Sequence, residues 1–254
     1  MSAAPIAAAG LVGLCLGSFA NVLVHRLPRE EGVVRGRSHC PHCRATIAWY
    51  DNLPVVSWIV LRARCRRCRA GIPIRYPLVE LAGGLLAAGC LLAFGPTPAA
   101  AKAYVFLYLL GVIAIVDWQH LIIPHTLTVA GMVAGLALAD RAGPGLRAAL
   151  LGLAIGGGLV WALSSGYRLV RGQAGMGGGD VMLMAMVGTF LGPGAAAGVL
   201  GAGALLGTIY AIARAGGRPD GLGRLPFGTF LAAAAAVVLL WGSRIWTWYL
   251  DLLA

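Results

Sequence analysis

The stretch Gly177-Gly178-Gly179-Asp180-Val181-Met182-Leu183-Met184-Ala185-Met186-Val187-Gly188-Thr189-Phe190-Leu191 sets a carboxylate at the head of an apolar run. A second aspartate, Asp117, closes the apolar run 103–116. A charged side chain at the centre of a bilayer helix costs roughly 2.5–3.5 kcal/mol even on lenient insertion scales, so such residues face an interior or water and commonly act there. Two of them raise the prospect of a shared proton and acid–base chemistry. Taken singly, each reads equally well as a helix-end residue in contact with water.

The surrounding composition sets the class. The chain is 59% hydrophobic and 11% charged, with a mean hydropathy of +0.82, whereas soluble domains are roughly one-quarter charged. A helical crossing needs about 20 apolar residues, and about eight stretches approach that length, near 4–24, 77–95, 103–120, 122–140, 146–164, 180–193, 195–213 and 227–247. The sixth is short for a span. The first lacks the positively charged start of a secretory signal and reads as a retained helix. The expected fold is all-α: a polytopic transmembrane helix bundle of about eight spans. Small residues recur at 152–158, 194–207 and 232–236, as close helix packing in lipid requires. Gly175, Gly177, Gly178 and Gly179 instead cluster outside a helix start, where they predict backbone freedom at φ > 0 and room for another chain's backbone. A plain flexible loop is the competing account.

The net charge of +11 is distributed by loop and does not form a nucleic-acid footprint. Arginines crowd residues 26–75, from Arg26, Arg29, Arg35 and Arg37 to Arg67, Arg69 and Arg75, and return at Arg168, Arg171, Arg214, Arg218 and Arg224. The alternate loops near 96–102, 141–147 and 193–195 hold Lys102, Arg141 and Arg147. With the N-terminus outside, every arginine-rich segment falls on one side, which the positive-inside rule makes the cytoplasm. Asp117 and Asp180 then lie at cytoplasmic helix ends on the same face. Trp241, Trp246, Trp248 and Tyr249 form an aromatic belt at the other interface. Glu80, near a helix start, suits the helix dipole and a salt bridge with Arg75.

Cys40-Pro41-His42-Cys43 and Cys65-Arg66-Arg67-Cys68 form two CxxC pairs separated by 21 residues, 44–64. That pattern reads as a structural zinc site. Four thiolates close a tetrahedral shell and leave no position for chemistry, and a reducing cytoplasm disfavours disulfides. A segment of about 50 residues also needs such a clip, its own core being too small. Cys15 and Cys90 lie in apolar runs and behave as small hydrophobes. The expected organisation is a first transmembrane helix at 1–25, a cytoplasmic zinc-binding module at 26–76 and a transmembrane bundle at 77–254.

These blocks occur in the order of a known family. Gly17-Ser18-Phe19-Ala20-Asn21-Val22, Arg26-Leu27-Pro28, both CxxC pairs, Asp51-Asn52-Leu53-Pro54, Arg75-Tyr76-Pro77-Leu78-Val79-Glu80, Asp117 with Ile123-Pro124, Gly177-Gly178-Gly179-Asp180 and Pro226-Phe227-Gly228 resemble the prepilin peptidases, membrane aspartic peptidases of the GxGD type. The resemblance implies that Asp117 and Asp180 are catalytic, with Gly177 and Gly179 in the active-site loop that receives substrate. It implies prepilin and pseudopilin precursors as partners, cut at the junction of a basic leader and a hydrophobic helix on the cytoplasmic face of the bacterial inner membrane. It further implies methylation of the new N-terminus with S-adenosylmethionine, for which the sequence shows no glycine-rich nucleotide motif. The chain departs from the pattern at His125, where the family often has an acidic residue, and at Met182, where lysine is common. From the residues alone, a proton-coupled transporter or a non-catalytic pilin-assembly platform would also place two carboxylates in a membrane, although no internal duplication of the transporter kind is visible.

Overall fold

The computed structural model describes residues 2–33, 37–172, 175–215 and 225–253; Arg35, Arg218 and Arg224 lie outside them. Its helices are α1 (Ala3–Arg26), α2 (Val56–Val60), α3 (Arg75–Phe94), α4 (Pro98–His120), α5 (His125–Ala137), α6 (Ala139–Ala142), α7 (Leu146–Arg171), α8 (Gly178–Leu191), α9 (Pro193–Ala215) and α10 (Phe227–Leu253). Among the described residues there is no strand, the only β-type pairings being isolated bridges His39–Thr46 and Arg64–Gly71.

All eight expected apolar stretches are helices. Six of them, α1, α3, α4, α7, α9 and α10, are long and apolar enough to cross a membrane. The remaining two, α5 and α8, are stopped early by local chemistry. Leu121 at φ 56 ends α4, and Pro124 supplies the extended residue before α5. Gly177 precedes α8, Gly192 at φ 83 terminates it, and Pro193 starts α9. With 14 residues, α8 spans about 21 Å at 1.5 Å per residue, short of a hydrocarbon core of about 30 Å.

The chain divides into two compact units, Met1–Ala100 and Ala101–Ala254. In the first, α1 packs along α3. Their backbones approach so closely that a Cβ on Gly17 would sit 2.7 Å from the Glu80 Cα, and one on Gly13 would strike the Gly83 carbonyl. Asn21, buried on α1, donates from Nδ2 to the Tyr76 carbonyl at 3.1 Å. Glu80 lies beyond the first turn of α3, so the expected dipole role does not hold. Its Oε2 instead accepts the Val55 N–H at 2.7 Å, pinning a β-branched residue at φ 62 just before α2.

In the second unit, α8 packs on α7, α5, α9 and α10. Leu183, Met184, Met186, Val187 and Thr189 are each fully enclosed, which fits a helix apolar on every side. The Gly152 and Gly188 carbonyls occupy the space a Cβ on the other residue would need, and Met184 does the same to Gly156. Lys102 belongs to α4 rather than to a loop as the sequence suggested. It is buried, and its Nζ donates to the Phe190 carbonyl at 2.7 Å, placing a cation at the C-terminal end of α8, where the helix dipole favours it. Gly188→Ala should therefore lower stability by about 1–3 kcal/mol through overpacking, read as a fall in the thermal midpoint of the purified protein. Gly158→Ala, where a Cβ would meet nothing within 4 Å, should leave that midpoint unchanged.

Candidate active site and metal centre

Asp117 lies in the last turn of α4 and is buried to 4% exposure. Its Oδ2 accepts the Thr229 backbone N–H at 2.7 Å and lies 3.1 Å from the Thr229 hydroxyl. Pro226 precedes the first turn of α10, where the Thr229 N–H is shared between Asp117 Oδ2 and the Pro226 carbonyl at 3.1 Å, and the Gly228 N–H also donates to Asp117, as helix N-termini favour. Asp180 is the third residue of α8 and is 9% exposed. Its Oδ2 accepts the Gly177 N–H at 3.0 Å, while its own N–H donates to the Gly177 carbonyl at 3.1 Å. Each carboxylate thus has one oxygen held by backbone donors.

Ile123 links the two. A Cβ on Gly179 would lie 2.8 Å from the Ile123 Cβ, and one on Gly228 would lie 2.6 Å from its Cδ1 and 3.1 Å from Asp117 Oδ2. The Ile-Pro after α4 therefore wedges between the glycine beside Asp180 and the glycine beside Thr229, and the two aspartates interact electrostatically. The glycine run acts through space rather than through φ. Gly177 has φ −78, and the glycines of positive φ are elsewhere, at Gly95, Gly145, Gly172 and Gly192. Gly175 packs against the Tyr167 ring, and the Ser164 hydroxyl donates to the Met176 carbonyl at 3.1 Å, tying the loop to α7. Neither Ser164 nor Thr229 stands out in the sequence. The neighbouring Pro226-Phe227-Gly228 was the one signal pointing toward Thr229.

The four cysteines converge in the first unit. Their sulfurs all lie within 4.8 Å of one another, and the Cys40 and Cys68 sulfurs are 3.8 Å apart. Metal–sulfur bonds of about 2.3 Å in a tetrahedron give an edge of about 3.8 Å, so the set fits one metal ion. The two CxxC turns are built alike. Arg44 N–H donates to the Cys40 carbonyl and Arg69 N–H to the Cys65 carbonyl, with Arg44 at φ 53 and Arg69 at φ 61. The backbone N–H groups of Cys68 and Arg67 hold the Cys65 thiol down at about 6. At Cys68 the Ala70 N–H favours the thiolate, yet lost solvation and the adjoining cysteine thiols push the group up to about 11. Ionising the set without a cation is therefore costly, as expected of ligands that await one. Arg66, between the second pair, grips Asp51 through two bonds of 2.7 and 2.6 Å.

Residues 11–94 match the Bacterial Peptidase A24 N-terminal domain, and residues 104–212 match the Type IV leader peptidase family. A protein of Myxococcus xanthus is 43% identical over 86% of this chain and 67% of its own length. One of Burkholderia pseudomallei is 38% identical over 94% and 86%, and one of Aeromonas hydrophila is 34% identical over 94% and 92%. All three are named prepilin leader peptidase/N-methyltransferase. The chain belongs to the type IV leader peptidase family. No solved structure matches it. Membership favours a peptidase over a proton-coupled transporter or an assembly platform, and with six helices fit to cross a bilayer this leader peptidase is a multi-pass membrane protein. Asp117, Asp180 and the glycine loop fall within the leader-peptidase match and the four cysteines within the N-terminal match, whereas Gly228 and Thr229 lie beyond both.

Because Ile123 is held between two glycines, Gly179→Ala or Gly228→Ala should shift it and lower peptidase activity by about tenfold to a hundredfold, the scale of a misplacement near 1 Å. Gly178→Ala, which meets open space, should retain full rate in the same assay.

Proposed function

We propose that Asp117 and Asp180 are the catalytic pair of an intramembrane aspartic endopeptidase that removes the short basic leader from type IV prepilin and pseudopilin precursors. The observation that carries this reading is the joining of two buried carboxylates through Ile123, each held by backbone N–H groups, Asp117 by Thr229 and Gly228 and Asp180 by Gly177. Two neighbouring carboxylates cannot both ionise cheaply, so the pair holds one proton and titrates as a unit. The ionised member takes a proton from water as the oxygen adds to the scissile carbonyl. The protonated member gives its proton to the carbonyl oxygen, and proton return to the amine nitrogen releases the cleaved leader. Gly177 leaves room beside Asp180 for an extended substrate backbone, whereas the space at Gly179 is taken by Ile123.

The arginine distribution supports an active site facing the cytoplasm across a bacterial inner membrane, where a basic leader would remain. The names of the relatives support a second activity, methylation of the new N-terminus with S-adenosylmethionine. The cavity of about 350 Å3 lined by Val237, Trp241, Arg244, Ile245 and Trp248 lies along α10 alone and is apolar. It does not fit a charged sulfonium nucleoside, and no methyl-transfer step is derived from it. For the metal, the all-sulfur donor set and its spacing favour zinc, with Cys40, Cys43, Cys65 and Cys68 as ligands and a role in holding the module's shape.

With a leader-bearing pilin precursor co-expressed, the wild type should produce the shorter pilin on a gel. Asp117→Asn and Asp180→Asn should each lower cleavage at least a thousandfold, the scale seen when a member of a catalytic group is removed, at unchanged protein level in the membrane. Near-normal cleavage by either variant would sink the two-aspartate mechanism. Elemental analysis of the purified protein should find one zinc per chain. Cys65→Ser should reduce that content and the thermal midpoint more than the cleavage rate, since a closed site supplies no chemistry.

A further inference from the structure

Thr229 presents more to Asp117 than a helix terminus requires. Its backbone N–H is fixed on Oδ2 at 2.7 Å. Its hydroxyl oxygen stands 3.1 Å from the same Oδ2 and 3.1 Å from the Ala114 carbonyl. A hydroxyl has one proton and can donate to one of these acceptors at a time. The Ala114 carbonyl lies within α4, where the helix ladder already gives it a donor, so it gains from the hydroxyl without depending on it. Asp117 in its charged form is the stronger acceptor, because hydrogen bonds to an ionised oxygen are about twice as strong as neutral ones.

We propose that Thr229 is a positioning residue for Asp117: its N–H fixes Oδ2, and its hydroxyl turns between Oδ2 and the Ala114 carbonyl as Asp117 loses and gains the proton of the pair. The proposal rests on the reading of Asp117 as catalytic. Two consequences deepen that reading. The N–H, shared between Oδ2 and the Pro226 carbonyl, keeps Oδ2 an acceptor, so a proton arriving at Asp117 goes to Oδ1. Asp117 also has more donors than Asp180, whose Oδ2 receives the Gly177 N–H. Asp117 therefore takes the larger share of the pair's negative charge before water attacks. On proton transfer from water to Oδ1, the hydroxyl swings to Ala114 and leaves the neutral acid with its backbone donors alone. As the proton departs it swings back.

The test compares Thr229→Val, which keeps the shape and removes the hydroxyl, with Thr229→Ser, which keeps the hydroxyl, in protein reconstituted with a pilin precursor. Thr229→Val should lower kcat by about tenfold to a hundredfold with KM unchanged, the pattern of an interaction that matters in the transition state. Thr229→Ser should restore kcat to within about threefold, well under one charged hydrogen bond. The amide resonance of Thr229, followed in threonine-labelled protein, should shift when Asp117→Asn removes the charge. Wild-type kcat in Thr229→Val beside an inactive Asp117→Asn overturns the positioning role and leaves the peptidase reading standing; an active Asp117→Asn overturns both. Should Thr229→Val fail to assemble, the amide resonance decides, since a signal indifferent to Asp117→Asn also overturns the proposal.

Discussion

A helix that ends inside an apolar interior must find partners for its terminal backbone groups within the protein, because lipid offers none. Helix α8 is under that constraint, being too short to reach both faces of a bilayer and enclosed by α5, α7, α9 and α10. Its two ends are answered by two buried charges. Asp180 closes the N-terminal turn by accepting the Gly177 N–H, and Lys102 closes the C-terminal turn by donating to the Phe190 carbonyl. The signs suit the helix dipole at both ends. Close glycine contacts with α7 then fix the height of α8 in the bundle, and with it the depth of Asp180. The position of the carboxylate follows from how a half-length helix is sealed.

The first unit solves a different problem with a different device. Its loop region carries Glu30, Arg44, Val55, Arg62, Ala63 and Arg69 at positive φ, a conformation costing on the order of 1–3 kcal/mol for each non-glycine residue when held in place by its surroundings. A segment of this size has little core with which to offset that. Glu80 holds the strained Val55, Trp58 donates to the Ile72 carbonyl at 3.0 Å, and Arg66 grips Asp51. The two strained arginines that follow the CxxC pairs are held by the ligand cluster itself. A metal bound there would counter strain that sheet or core counters in a larger domain.

Much of this was legible in the chain. Hydropathy located all eight apolar helices, because length and composition are local properties, and it flagged the sixth as short. The cysteine spacing announced the cluster, since a CxxC turn is closed by its own backbone. Asp117 and Asp180 stood out because charge within an apolar run is rare. Residues whose roles depend on distant partners were not legible. Thr229 meets Asp117 across 112 positions and Lys102 meets Phe190 across 88; Pro226-Phe227-Gly228 marks the neighbourhood of the first, and nothing local marks the second. Lys102 falls just before the apolar stretch at 103–120 and so reads as a loop charge, yet Pro98 opens α4. The glycine run reads in sequence as backbone freedom and room for another backbone, and in the structure Gly179 gives its space to Ile123, a residue more than fifty positions earlier. Glycine in a sequence marks a constraint without saying whether it lies in φ or in a neighbour.

The last question is whether Asp180 is explained by its structural role alone. As an acceptor at the third position of α8 it supplies something on the order of 1 kcal/mol, and a neutral glutamine can take that place as well. Burying the charge costs roughly 2.5–3.5 kcal/mol on the same lenient scale applied to membrane helices. A carboxylate kept only to cap α8 would therefore be a net loss, while a neutral cap would not. The same comparison applies to Asp117, which sits at a C-terminal turn where the helix dipole opposes negative charge. Its hydrogen bonds to Thr229 reduce that cost without requiring it. Both charges would be accounted for by the proton-sharing role proposed for the pair, in which two neighbouring carboxylates hold one proton between them.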